Sequence, residues 1–142
     1  MKRTAVTPPA AGVAAPAVRF RVEFGRAAAI GPGKIALLEH IEKSGSLSQS
    51  ARELRMSYRR AWLLLRSLNT SFEEPAAVLM KGGRGGGGAR LTAFGRALIH
   101  AYRDFDANLQ ARAAGTFKSI AAVARSRAPQ KPRSTRRRAA AR

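Results

Sequence analysis

The sequence contains no cysteine, which removes thiolate metal ligands, cysteine nucleophiles and disulfides together and excludes any zinc finger. Histidine is scarce at 2 residues, and acids at 8 against 27 Lys and Arg in 142 residues, a formal charge of +19. The few acids are scattered over helix faces and helix ends, and no Ser/His/Asp group or carboxylate pair forms a catalytic set. The chain therefore reads as a non-enzyme without cofactor or bound metal. It also lacks an apolar stretch long enough for a signal core or a membrane span, so the expectation is a cytoplasmic, nucleoid-associated protein with no membrane partner.

What is abundant is positive charge, and a field of that size attracts polyanions. It is unevenly placed. Residues 1–17 carry two cations, residues 18–112 carry sixteen against all eight acids, and residues 113–142 carry nine cations and no acid. The Ala- and Pro-rich segment 1–17 has too little apolar bulk to pack and is expected to be a disordered leader, and 113–142, with the run Arg136-Arg137-Arg138, a disordered polybasic tail. One domain is expected between them, over residues 18–112.

Within that domain Val18, Phe20, Val22 and Phe24 alternate with Arg19, Arg21 and Glu23, the pattern of a half-buried strand. Pro32 opens a helix with apolar Ile35, Leu37, Leu38 and Ile41, stopped by Ser44-Gly45. Ser46 caps a short helix through Leu47, Ala51 and Leu54, and after a break at Arg55-Met56, Ser57 caps a longer one. On that longer helix Ala61, Leu64, Leu65, Leu68 and Phe72 share one side, with Arg59 and Arg66 opposite. Val78–Met80 and Ala89–Leu91 flank Gly82–Gly88, seven residues that are glycine except for Arg84, with Lys81 before them, which suggests a hairpin with a flexible tip. Thr92 then caps a long helix with an apolar seam of Phe94, Leu98, Tyr102, Phe105 and Leu109.

Gly45-Ser46-Leu47-Ser48-Gln49-Ser50-Ala51, Ser57-Tyr58-Arg59-Arg60-Ala61-Trp62, Lys81-Gly82-Gly83-Arg84-Gly85-Gly86-Gly87-Gly88-Ala89 and Leu91-Thr92-Ala93-Phe94-Gly95 occur in this order, and the region from about residue 20 to 112 resembles the DNA-binding domain of molybdate-responsive ModE-type regulators, which is related to that of LysR-type regulators. The resemblance implies a mainly α winged helix-turn-helix fold with an N-terminal strand, a Gly-rich β-hairpin wing and a long C-terminal dimerisation helix. Arg55 stands in the turn where that family often has glycine, so the chain must enter a left-handed conformation or turn differently. After Ala113 there is basic sequence and no strand-forming sequence for the family's oxyanion-binding module. Ser50-Ala51-Arg52 matches part of a motif of that module but lies inside the helix-turn-helix and is discounted. Molybdate sensing is not carried over, and no other small-molecule effector is indicated.

In a helix-turn-helix the first turns of the second helix enter the major groove, where arginine reads guanine edges. Ser57, Tyr58, Arg59 and Arg60 are the candidate contacts, with Arg66 as a phosphate contact and Arg84 on the wing reaching phosphate or the minor groove. Trp62 reads as packing and Leu63 as an isolated exposed leucine. Gly83, Gly85 and Gly88 fit a G-x-G-x-x-G string, but it joins two strands instead of opening a helix. His100 and Asp104 are too few to hold a metal. The expected partner is double-stranded DNA bound as a homodimer at a pseudo-palindromic site, the long-helix seam making the dimer. The alternative is a nucleoid-associated, sequence-tolerant architectural protein; RNA binding through Arg84-Gly85-Gly86 ranks below both.

Overall fold

Hydroxyl caps decide where three of the helices begin. In the computed structural model, which describes residues 15–81 and 87–124, Ser46 accepts from the amide of Gln49 at the start of α2 (Leu47–Glu53), Ser57 from Arg60 at the start of α3 (Tyr58–Ser71), and Thr92 from Gly95 at the start of α4 (Ala93–Thr116). Each satisfies an amide that helix geometry leaves without a partner. The first helix, α1 (Pro32–Ser44), uses proline in its first turn instead and ends on Gly45 at φ 67°.

The architecture is mainly α, with two small antiparallel strand pairs and a long helix near the end of the described chain. Helix α1 is its centre. Adjacent Leu37 and Leu38, with Ile35 and Ile41, are all essentially inaccessible to solvent, so its apolar surface is wide enough to pack against α2, α3 and α4 as well as a strand. Leu65 and Leu68 of α3, Leu91, and Leu98 and Tyr102 of α4 close the same core. Each fully buried leucine or isoleucine contributes about 1.5–3 kcal/mol relative to exposure.

The N-terminal strand is shorter than its alternation suggests. Only β1 (Val22–Phe24) pairs, and its partner is β2 (Ala28–Ile30), reached through a turn with Gly25 at φ 63°. Residues 18–21 lie against α4, where no strand is available to bond them. The Gln110 side chain serves instead: its Oε1 accepts from the Val18 amide at 2.9 Å and its Nε2 donates to the Val18 carbonyl at 2.7 Å. Tyr102 donates its hydroxyl to the Phe20 carbonyl at 3.1 Å and stacks its ring on Phe20.

The second hairpin pairs β3 (Ala77–Leu79) with β4 (Ala89–Leu91), one residue earlier at its first strand than the apolar run implies. Asn69 of α3 sets that start, donating to the Ala77 carbonyl and accepting from the Ala76 amide, both at 2.8 Å. Helical structure also continues beyond residue 112: α4 runs to Thr116, and α5 (Lys118–Val123) follows, with Ala113 and Ala121 buried. The other residues of 113–124 are exposed. The leader through residue 14 and the basic run 125–142 lie outside the described residues.

Candidate nucleic-acid interface

Helices α2 and α3 are joined by a tight turn in which Arg55 adopts φ 56°, so the chain takes the left-handed option at a position without glycine. The Arg55 amide donates to the Arg52 carbonyl at 3.1 Å and the Met56 amide to the Ala51 carbonyl at 3.0 Å, closing the turn. The turn delivers Ser57 to the start of α3, with Ala61, Leu65 and Leu68 buried below it.

The first turn of α3 is left entirely on the outside. Ser57, Tyr58, Arg59 and Arg60 are all exposed, and so is Arg66 two turns further on. Five of the eight acids, Glu23, Glu39, Glu42, Glu53 and Asp106, are engaged elsewhere. Arg103 makes a two-pronged pair with Glu39 at 2.6 and 2.7 Å and reaches Asp106, which holds its guanidinium above the ordinary arginine range. Glu42 faces Arg96 and Glu23 faces Arg21. Glu53 accepts from Gln49 and lies 2.7 Å from His40 Nδ1; these hydrogen bonds, His40 first, hold its carboxyl below the usual value. Among the described residues none of Arg59, Arg60 and Arg66 has an acidic partner within ion-pair distance. This face of α3 therefore presents uncompensated positive charge.

The base of the second hairpin sits beside this surface. The Ala89 amide donates to the Gly45 carbonyl at 2.9 Å, fixing β4 against the α1–α2 turn, and Tyr58, Leu79, Met80 and Gly88 line a recess between α3 and the hairpin. Arg84, with Gly83 and Gly85, lies outside the described residues. Lys34, just inside α1, points inward: its Nζ donates to the Ala29 carbonyl and the Ser67 hydroxyl, and partial burial, followed by the charge of Arg21, lowers its pKa.

Trp62 is not packed away. It is 36% exposed, with the Arg66 guanidinium 5.3 Å from its ring centroid. Leu63 is exposed, as its wheel position suggests. Sequence reasoning also missed Gln110, because a polar side chain that pairs with distant backbone leaves no periodic trace.

The seam of α4 divides along its length. Leu98 and Tyr102 are buried in the chain's own core, where burial first, and then the Asp106 charge, raises the Tyr102 phenol pKa. Phe94 is partly buried, edge-on to Phe72. Phe105 is 52% exposed although one edge meets Phe20, and Leu109 is half-buried. Phe117, Ile120 and Val123 continue this exposed apolar set.

Fold and surface together define a small, mainly α-helical protein that displays a capped cationic helix. No family model matches the chain. It is 44% identical over 87 residues to the transcriptional regulator ModE of Yersinia pestis, covering 61% of this chain and 33% of that protein. It is 43% identical over 82 residues to the DNA-binding transcriptional dual regulator ModE of Escherichia coli K12 (58% and 31% of the two chains). With the molybdenum-pterin-binding protein MopA of Rhodobacter capsulatus it shares 44% identity over 70 residues (49% and 26%). The matched segment is thus homologous to ModE-type regulators, and the chain spans about a third of the length of the curated relatives it matches.

Proposed function

We propose that the chain is a DNA-binding transcriptional regulator of winged helix-turn-helix type, with α2, the Arg55 turn and α3 as the helix-turn-helix and the β3–β4 hairpin as the wing. The observation that carries the reading is the first turn of α3, where the Ser57 cap holds Tyr58, Arg59 and Arg60 outward on a rigid helix without acidic partners. A helix of this kind fits the major groove, where an arginine fork can meet the O6 and N7 of guanine, while Arg66 and the Arg84 loop supply phosphate contacts. The similarity to the DNA-binding transcriptional dual regulator ModE of Escherichia coli K12 supports the same reading.

The chain acts as a homodimer through the distal part of the α4 seam, centred on Phe105 and Leu109, and a two-fold pair of α3 helices calls for a pseudo-palindromic site. The test is duplex affinity of Arg59→Ala. A base-reading arginine predicts a loss of about 1–3 kcal/mol with relaxed preference at one base position. Equal loss on every sequence would make Arg59 a phosphate contact and favour the sequence-tolerant architectural alternative.

A further inference from the structure

The cationic face of α3 contains an indole that the contacts to bases and phosphates do not require. Trp62 lies between Tyr58 and Arg66, one helical turn from each, and more than a third of it is exposed although it is the chain's single tryptophan. At about 100° per residue it falls between the core side, marked by Ala61 and Leu65, and the outward line of Arg59 and Arg66. The Arg66 guanidinium rests 5.3 Å from its ring centroid. Helical side chains lean toward the N-terminus of their helix, so an arginine laid on a side chain four residues earlier carries its charge back toward the Ser57 end. Leu79, exposed on β3, flanks the same hollow as Trp62 and Arg66.

We propose that Trp62 is a positioning residue of this interface: its indole face holds the Arg66 guanidinium extended along the outer surface of α3, making Arg66 a pre-ordered partner for a backbone phosphate of duplex DNA. The role rests on the reading of α3 as a DNA-binding helix. A free arginine must lose side-chain freedom when it binds, whereas one already held on an aromatic face loses less. A planar guanidinium held over an aromatic ring can still turn its N–H groups to a phosphate. Tyr58, one turn earlier, shows no such contact with an arginine among the described residues.

The experiment measures duplex affinity as a function of salt for the full chain and for Trp62→Phe, Trp62→Leu, Arg66→Ala and the Trp62→Leu/Arg66→Ala double variant, with thermal melting of each. Trp62→Leu is expected to weaken binding about two- to fivefold, the range of an exposed cation–π pair. Trp62→Phe should retain most of the affinity, and the double variant should bind no more weakly than Arg66→Ala. Arg66→Ala should also reduce the slope of log affinity against log salt by about one unit. Fully additive losses, or unchanged affinity in Trp62→Leu beside a loss in Arg66→Ala, would overturn the positioning role while leaving α3 as the DNA-binding helix. Should Trp62→Leu melt early, the decision passes to Trp62→Phe and to the guanidinium NMR resonances of Arg66 in the wild-type chain, which must show a ring-current shift; unshifted resonances would overturn the proposal. A wild-type chain that does not bind duplex DNA would overturn both readings at once.

Discussion

Gly95 and Ala76 approach so closely that a β-carbon on Gly95 would stand 2.0 Å from the Ala76 carbonyl oxygen. That oxygen also accepts from the Thr92 amide at 3.0 Å, and the Thr92 hydroxyl both caps α4 and reaches the Pro75 carbonyl. The start of α4 is thereby pinned to the segment that leads into the β3–β4 hairpin. Neither side of the contact can yield, since both are backbone. Gly95→Ala is expected to destabilise the fold by about 3 kcal/mol through overpacking, read as a lowered midpoint in urea; an unchanged midpoint would mean that α4 can shift away from Ala76 at little cost.

Arg55 bears the opposite relation to glycine. A non-glycine residue held at φ 56° carries a steric cost, and Arg55→Gly relieves it while adding freedom to the unfolded chain. The expected net is a stabilisation of about 0.5–1 kcal/mol, seen in thermal melting, with duplex affinity nearly unchanged. Arg55→Ala, which keeps the β-carbon, should not be stabilising.

The elements legible in the sequence were those whose signal is local. Ser46, Ser57 and Thr92 announce helix starts because their hydroxyls bond amides three residues on, and Pro32 and Gly45 bracket α1 for equally local reasons. What escaped depends on partners distant in sequence. Ala28-Ala29-Ile30 is buried throughout and so shows no alternation to betray β2; Gln110 meets Val18 across 92 residues. Helix α5 was hidden by an alanine-rich, basic composition that equally suits a solvated tail. On the candidate surface the cap and the arginines were readable from spacing, but the exposure of Trp62 was not, because its wheel position borders the core and only the packed neighbours decide which way such a residue turns.

Phe105 separates the two uses of α4. Its neighbours Leu98 and Tyr102 are committed to the core, while Phe105 is half-exposed. Phe105→Asp should therefore leave the domain folded, costing about 1 kcal/mol for the lost aromatic edge contact with Phe20, yet place a charge in the proposed dimer surface. Sedimentation at micromolar concentration is expected to change from dimer to monomer. A monomeric wild type, or a variant that still sediments as a dimer, would remove this surface from the account.

The Glu53 carboxyl predicts an acid-side effect. Because hydrogen bonds from His40 and Gln49 lower its pKa in the folded chain beneath the ordinary value of about 4.5, the unfolded state binds the proton more readily. Stability from this group is present above that ordinary value and is lost as pH falls through it toward the lower folded value. Glu53→Gln should flatten the decline of the melting temperature below about pH 5, and His40→Ala should remove most of the same slope. If both variants keep the wild-type slope, the α1–α2 contact does not contribute to acid sensitivity.

The central claim, that α3 reads duplex DNA as one half of a two-fold pair, is tested most directly by selecting bound fragments from a random duplex pool at physiological salt and sequencing them. The account predicts enrichment of a pseudo-palindrome whose half-sites are separated by about one turn of B-DNA, or a whole multiple of it, with the preference at one position in each half-site lost in Arg59→Ala. Fragments recovered without any enriched sequence would contradict it.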